Sequence, residues 1–256
     1  MRRAAVLLLG LVVIGALASA QELYAFYYSR SPGRDMELNL MNTTSSQVQY
    51  EIRAYDAWGN QVWETTGDLA PKDAAFYLLS EQIPEDASHW GVLTVVATER
   101  LVIAPEYYVN GQPMAFDLVI SSVSPVQEGS AYQLTLYHSE VTESGTGLVI
   151  LNPWDQEVSG RLGIYRSDGS ILGTTSFTLK PHESTFLNLV LLVGQGTRNW
   201  GLVEVATNDR SIVAAIIRVV GGAMQVKNVT QAQLVAAISP TEQPAPEVET
   251  PPRKED

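Results

Sequence analysis

The chain of 256 residues contains no cysteine and only three histidines. Without a thiol it cannot form a disulfide-stapled scaffold, a thiolate metal site or a cysteine nucleophile. The histidines, His89, His138 and His182, have none of the i, i+2 or i, i+4 spacings that bring two imidazoles to one metal. We therefore expect each histidine to be exposed or singly hydrogen-bonded, and we expect no metal site.

Positive charge is also scarce, with 16 Lys+Arg against 28 Asp+Glu and a net charge of −12. Such a surface repels phosphate backbones and anionic lipid headgroups, so we expect no nucleic-acid partner. The acidic cluster of Glu81, Glu85 and Asp86 has the oxygen ligands that Ca²⁺ takes. Oxygen ligands spread over a loop are common on acidic surfaces, and solvated charge is the preferred interpretation.

Local catalytic and cofactor motifs are missing. The sequence has no Gly-x-Ser-x-Gly elbow, phosphate-binding loop, dinucleotide fingerprint or EF-hand loop. We therefore expect no cofactor and no enzymatic activity. A catalytic triad drawn from distant residues leaves no local spacing, so a secreted hydrolase stays as a third hypothesis.

Only one long apolar run occurs, and it lies at the N-terminus. Arg2 and Arg3 precede an apolar stretch over residues 4–17, and Ala18-Ser19-Ala20 supplies small residues for a signal peptidase. We interpret residues 1–20 as a signal peptide that is cleaved after Ala20. We expect no membrane span in the mature chain and a periplasmic or extracellular location.

Helical periodicity is lacking beyond that run, and strand alternation replaces it. Val48, Tyr50 and Ile52 alternate with polar residues over 47–54, and the same pattern returns over 157–164. Such segments recur every eight to twelve residues between Pro, Gly, Asn and Ser. The pattern predicts an all-β protein built of two-sheet sandwiches.

A repeat organises these strands. An offset of 110 residues without a gap superposes turns on turns and aromatics on aromatics, including Tyr27 and Tyr137, Asn42 and Asn152, Tyr55 and Tyr165, Gly59 and Gly169, Trp90 and Trp200, Arg100 and Arg210, and Met114 and Met224. We therefore predict two tandem domains of the same sandwich fold, placed end to end.

The predicted domains are residues 21–122 and 131–238, joined by a linker at 123–130. Residues 239–256 form a proline-rich acidic tail that we expect to be disordered. Just before the tail, 231–238 has no counterpart in the first copy. It is consistent with either a strand or a short helix.

The string Leu151-Asn152-Pro153, the pair Asp168-Gly169 and the pair Trp200-Gly201 resemble motifs of the immunoglobulin-like sandwich repeats of exported bacterial proteins. A weaker similarity is to the sandwich fold of sensory-rhodopsin transducers. The resemblance implies a fold and an exported bacterial setting. It implies no activity, because its motifs are turns, strand ends and core positions.

Aromatic residues supply the candidate contact sites. Trp90 and Trp200 occur in both copies, so we expect them in the core between the sheets. Other aromatics occur in one copy only and are candidates for contact with a partner or a sugar: Trp58, Trp63, Trp154, Tyr107 and Tyr108. Local packing is the preferred explanation for these residues.

The first strand of copy one is apolar on both faces, where copy two has Gln133 and Thr135. We expect that face to be covered by a partner or a second subunit. The leading hypothesis is a non-enzymatic exported module that serves a structural or protein-interaction role with an envelope component. The alternative is a module that binds a glycan or a small ligand, and the secreted hydrolase is third.

Overall fold

The computed structural model describes residues 21–30, 33–83, 90–114, 131–139, 146–193, 200–220, 223–231 and 233–235. The predictions for residues 1–20, 123–130 and 239–256 therefore lie outside the described residues. Within the described part, no helix is long and apolar enough to cross a membrane.

Strands make up nearly all of the first half. They are β1 (Glu22–Ser29), β2 (Arg34–Asn42), β3 (Val48–Asp56), β4 (Gln61–Leu69), β5 (Ala74–Leu78), β6 (Trp90–Ala97), β7 (Leu101–Val109) and β8 (Gln112–Met114), with a one-turn helix α1 (Leu79–Gln82) after β5. They form two antiparallel sheets of order β1-β6-β3-β4 and β5-β2-β7-β8.

The second half repeats this sequence of elements and adds a final strand. They are β9 (Ala131–Ser139), β10 (Thr146–Leu151), β11 (Val158–Arg166), β12 (Ile171–Leu179), β13 (Ser184–Asn188), α2 (Leu189–Val193), β14 (Trp200–Asn208), β15 (Val213–Val220), β16 (Ala223–Gln231) and β17 (Gln233–Val235). Their sheets have the orders β12-β11-β14-β9-β17 and β13-β10-β15-β16. The prediction of an all-β sandwich fold is confirmed. Of the two alternatives for 231–238, the described residues are strand.

Strand alternation builds each core as expected. In β3 the side chains of Val48, Tyr50 and Ile52 are buried and Gln49 is exposed. The strand ends in a hairpin, where Gly59 has a positive φ of 86° and the Asp56 carboxylate accepts the backbone N–H of Asn60 at 2.9 Å. Glycine adopts this backbone conformation without steric cost, which explains its position at the turn.

Asn42 and Asn152 hold equivalent turns in the two halves. Both are fully buried. Each side-chain nitrogen donates to three backbone carbonyl oxygens: those of Ser46, Leu69 and Ala70 for Asn42, and those of Gln156, Leu179 and Lys180 for Asn152. Each asparagine therefore ties its own turn to the end of β4 or β12, and these bonds satisfy its buried side-chain amide, which would otherwise be costly to bury.

The strand pairing does not follow a gapless offset over the whole repeat. Leu38 pairs with Pro105, whereas Leu148 pairs with Ile216. The offset is therefore 110 between β2 and β10 but 111 between β7 and β15. The prediction of a gapless match is wrong from β15 onward, where the second half holds one extra residue. The duplication itself stays a prediction, but the two halves share one strand order apart from β17.

The halves are not placed end to end as predicted. The buried cluster of the first half contains Ala25 and Val92 together with β10 and β15 side chains of the second half: Val149, Leu151, Val213, Ala215 and Ile217. The other face of β10 and β15 packs within the second half, through residues such as Leu148 and Ile216. Four sheets are thus stacked in the order β5-β2-β7-β8, β1-β6-β3-β4, β13-β10-β15-β16 and β12-β11-β14-β9-β17.

We call the contact between the two inner sheets the junction. It covers the apolar outer face of β1, so the expected partner or second subunit on that face is replaced by the second half of the same chain. At its rim, Ser184 N donates to the carbonyl of Ala57 at 3.1 Å. The His182 ring also stacks on Tyr55, with 3.9 Å between centroids and 10° between planes.

Candidate interaction surfaces

Trp58 is the most accessible of the five predicted contact residues. It lies at the tip of the β3-β4 hairpin with 70% of its surface exposed. Its backbone N–H donates to the Asp56 carboxylate at 2.9 Å, which fixes the hairpin while leaving the indole free of the core. An exposed indole on a rigid turn is able to stack on a sugar ring or anchor a partner.

Trp63 and Trp154 are half-buried and have packing roles. Trp63 pairs with Ala54 on the inward face of β4, so its indole lies on the core side of the sheet. Its ring lies 5.7 Å from that of Tyr77. Trp154 donates its indole N–H to the carbonyl of Ser211 at 2.6 Å and packs against the cores of both halves. Both side chains thus make packing contacts within the chain.

The adjacent tyrosines of β7 have opposite environments. Tyr107 is buried, donates its hydroxyl to the carbonyl of Tyr27 and stacks on that ring with 6.4 Å between centroids. Burial raises the pKa of the Tyr107 hydroxyl. Tyr108 is half-exposed on the outer side of the sheet, where its hydroxyl donates to Glu106 at 3.1 Å. Of this pair, only Tyr108 has an accessible side chain.

The five predicted residues do not converge on one site. Trp58 lies at a hairpin tip, Trp63 on the inward face of the edge strand β4, and Trp154 at the junction. Tyr107 lies in the core of the first half and Tyr108 on its outer sheet surface. The concave aromatic site that a sugar-binding module needs is not formed by them.

Sequence reasoning missed the surfaces that the fold does expose. Trp200 was expected in the core but is 54% exposed on the outward face of β14, whereas Trp90, on the equivalent face of β6, is half-buried against the cluster that spans the junction. Strand alternation explains the error: the following glycines, Gly91 and Gly201, face inward. There a Cβ would lie 2.0 Å from the carbonyl oxygen of Tyr55 or Tyr165. The glycines, not the tryptophans, are the core requirement of this motif.

The C-terminal outer face is the outward surface of the sheet β12-β11-β14-β9-β17. Its apolar side chains are Tyr137, Trp200 and Leu202, which are 50%, 54% and 45% exposed. Thr135 and Glu204 lie among them on the same face. A cluster of exposed aromatic and aliphatic side chains of this kind is typical of a contact surface.

The N-terminal outer face is the outward surface of the opposite sheet, β5-β2-β7-β8. Met41 and Phe76 are 48% and 72% exposed there. Together with Val102 and Ala104 they line a shallow depression of about 180 Å³. Glu37 and Glu106 form a cross-strand pair on the same face, so its apolar patch has an acidic border.

The two described histidines are engaged in the fold. His138 is buried with its Nε2 3.0 Å from the carbonyl oxygen of Tyr165, as expected for a singly hydrogen-bonded residue. Burial lowers the pKa of His138 and of His182, and Asp155 partly opposes the effect at His182. Within the described residues no group of His, Asp and Glu is arranged to hold a metal ion.

Comparison with known proteins places the chain in no family. No family model matches it, and no curated protein matches it. Its similarity to solved structures is slight. A calcium-binding mutant of Bacteroides uniformis beta-glucuronidase 2 is 12% identical, with 84% of this chain and 26% of that chain covered and a TM-score of 0.17.

Two further solved structures are similar to the same degree. A glycosyl hydrolase family 2 member from Bacteroides cellulosilyticus is 8% identical, with 84% of this chain and 28% of that chain covered and a TM-score of 0.17. A beta-glucuronidase from glycoside hydrolase family 2 is 8% identical, with 76% and 22% covered and a TM-score of 0.16. The chain spans about a quarter of the length of these proteins. Likeness at such TM-scores carries no argument about function.

Proposed function

We propose that this chain is an exported, non-enzymatic β-sandwich module that binds other proteins through its outer sheet faces, in the envelope or outside the cell. One observation carries the proposal. The apolar side chains of the N-terminal and C-terminal outer faces, such as Met41 and Leu202, are exposed. Equivalent positions in the other half, Leu151 and Val92, are fully buried at the junction.

Exposed patches of this kind are costly to keep in water and are typical of sites that a partner covers. Aromatic and methionine side chains are also enriched at protein interfaces. Trp200, Tyr137 and Met41 are such residues. Their placement on open sheet surfaces favours a broad protein contact over a small-molecule site, which needs an enclosing pocket.

The chemistry of the described residues supports a non-enzymatic role. His138 is used to bond a backbone carbonyl, and His182 is used to stack across the junction. The depression on the N-terminal outer face is lined by no ionisable group. A hydrolase needs a base, a nucleophile and an orienting group in one pocket.

Site-specific photo-crosslinking in the native host tests this function. A photoreactive amino acid is placed at Met41 or Leu202, on the two outer faces, and at Ser45 or Glu99, which are exposed turn residues away from them. We expect discrete protein adducts from the two face positions and none from the turn positions. Equal labelling at all four positions, or no adducts from the faces, contradicts the proposal.

Glycan binding is the second candidate because Trp58 presents a largely exposed indole on a rigid hairpin. A glycan-array screen with the exported protein tests it, followed by titration of each hit against Trp58→Ala and the hairpin control Gln61→Ala. Sugar stacking on Trp58 predicts at least a tenfold loss of affinity for Trp58→Ala alone. An array without hits removes this candidate.

A further inference from the structure

The junction is built from two different surfaces, one from each half. The first half contributes the outer face of β1 and β6, with Ala25 and Val92 at its centre. The second half contributes the outer face of β10 and β15, with Leu151 and Ala215 at its centre. The contact is therefore heterologous: the face given by one half differs from the face given by the other.

Each half has both kinds of surface because the strand orders of the two halves are the same apart from β17, which adds a fifth strand beside β9. One surface of each half is used at the junction, and the other is left on the outside of the stack. The C-terminal outer face is the counterpart of the β1-β6 surface. The N-terminal outer face is the counterpart of the β10-β15 surface. The described part of the chain thus presents two complementary types of face.

The counterparts correspond residue by residue in the strand registers. On the C-terminal outer face, Tyr137 and Leu202 pair as Tyr27 and Val92 do in the junction sheet. On the N-terminal outer face, Met41 and Val102 pair as Leu151 and Val213 do. Tyr27 is 4% exposed and Val92 is fully buried, whereas Tyr137 and Leu202 are 50% and 45% exposed.

The aromatic pair of this surface has nearly the same geometry in the two halves. Tyr27 and Trp90 have ring centroids 6.4 Å apart at 42°. Tyr137 and Trp200 have centroids 6.5 Å apart at 46°. Since the exposed pair has the arrangement of the more buried pair beside the junction, we expect docking of a second surface to need no rearrangement of these rings, which lowers the entropic cost of association.

The open faces are more polar than the junction. Gln133, Thr135 and Glu204 stand where the first half has Leu23, Ala25 and Thr94. On the opposite face, Asn39 and Glu106 stand where the second half has Val149 and Ile217. Each change reduces the apolar area that a contact buries. The junction also has the advantage of joining parts of one chain, whose effective concentration is in the millimolar range or above.

We propose that these two faces bind each other between molecules, so that the N-terminal outer face of one copy docks on the C-terminal outer face of the next. The partner is a second copy of this chain, and the contact repeats the junction. The reduced apolar area makes this association weaker than the junction and reversible. The inference rests on the proposed function, since it names the protein that the outer faces bind.

Charge gives the association a second signature. Both faces carry carboxylates, Glu37 and Glu106 on one and Glu204 on the other, and the chain has a net charge of −12. Copies therefore repel one another at low ionic strength. Salt screens this repulsion over a Debye length of about 10 Å at 0.1 M, so we expect association to increase with salt.

Sedimentation velocity of the protein purified after export tests the proposal over a range of concentration and salt. The wild type should form dimers and higher species as either rises. Met41→Glu disables the N-terminal outer face and Leu202→Glu the C-terminal outer face, and each should weaken self-association at least tenfold. Ser45→Glu adds the same charge at an exposed turn and should leave association unchanged. Equal melting temperatures confirm that the variants are folded.

Mixing the two variants makes the test specific for a head-to-tail contact. Met41→Glu keeps an intact C-terminal outer face and Leu202→Glu keeps an intact N-terminal outer face. Their mixture should form a one-to-one complex that grows no further. If one variant alone associates as the wild type does, the contact joins like faces and the proposal is overturned.

The proposal is also overturned if the wild type stays monomeric at every protein and salt concentration. This holds whether another segment of the chain covers a face or the face is left uncovered. The crosslinks described above separate the two ideas. Adducts to a different protein from Met41 and Leu202 leave the proposed function standing while this inference fails.

Discussion

Ala25 and Thr135 occupy equivalent positions on the outer faces of two sheets, and their surroundings differ completely. Ala25 is fully buried because the second half of the chain lies on its sheet. Thr135 is exposed on the C-terminal outer face. The same strand order thus produces a covered surface in one half and an open one in the other. The side chains have diverged to match, from alanine to threonine and from Leu23 to Gln133.

The largest expected effect comes from placing a charge at these two positions. Ala25→Glu buries an unpaired carboxylate in the junction and should lower the free energy of unfolding by at least ~3 kcal/mol. Thr135→Glu puts the same group in water and should change the free energy of unfolding by no more than ~0.5 kcal/mol. Denaturant unfolding of both variants measures the difference. Similar values for the two would show that the junction does not form.

Substitution of the two buried asparagines should have the same effect on stability in both halves. This prediction concerns a feature that the halves share. Asn42→Ala and Asn152→Ala each remove a fully buried amide that donates to three backbone carbonyls. Each should cost about 2–3 kcal/mol of stability by denaturant unfolding. Ser46→Ala, at an exposed residue of the same turn, is the control and should be nearly neutral. A neutral Asn152→Ala would contradict the shared role.

A third comparison uses the hairpin glycines, which have φ values of 86° for Gly59 and 83° for Gly169. Alanine is strained at either position, by about 1 kcal/mol. At Gly59 its Cβ would also lie 2.4 Å from the carbonyl oxygen of Pro181 across the junction, whereas Gly169 has open space. Gly59→Ala should therefore destabilise the protein more than Gly169→Ala in thermal unfolding. Equal melting temperatures would argue against hairpin docking.

The smallest effect concerns pH. Burial lowers the pKa of His138 in the folded protein. The unfolded chain therefore takes up a proton near pH 6.5, where the folded protein does not. Stability should fall as pH drops below about 6.5 and level off once the folded imidazole is also protonated. His138→Gln should remove this part of the pH slope, measured by denaturant unfolding at several pH values. An unchanged slope would exclude His138 as its source.

Sequence reasoning reached the fold class because period-two alternation and turn residues are local signals. Val48, Tyr50 and Ile52 report one buried face whatever lies beyond the sheet. The glycine and asparagine positions in the turns are equally local. The single extra residue before β15 was missed because an offset of one residue still aligns similar apolar side chains along a strand that is buried on both faces.

The placement of the tryptophans and of the halves could not be read in this way. A tryptophan at the start of a strand is compatible with strand alternation on either face of the sheet. Only the close approach of Gly91 to the Tyr55 carbonyl shows that Gly91 faces inward and Trp90 therefore outward. The apolar outer face of β1 correctly indicated a covered surface. The residues that cover it, such as Val149 and Ala215, lie more than a hundred residues away in the sequence. Their strands have the apolar pattern of ordinary core strands. The packing of two sheets that are distant in sequence leaves no periodic pattern in the sequence.

Thiol labelling tests the central claim most directly, because the chain has no native cysteine. Ala25→Cys and Thr135→Cys place single thiols at the equivalent covered and open positions. If the two halves are joined through the outer face of β1, the thiol at position 25 should react only when the junction opens, at least about a thousandfold more slowly than a free thiol. The thiol at position 135 should react almost as fast as a free one. Equal rates at the two positions would contradict the account.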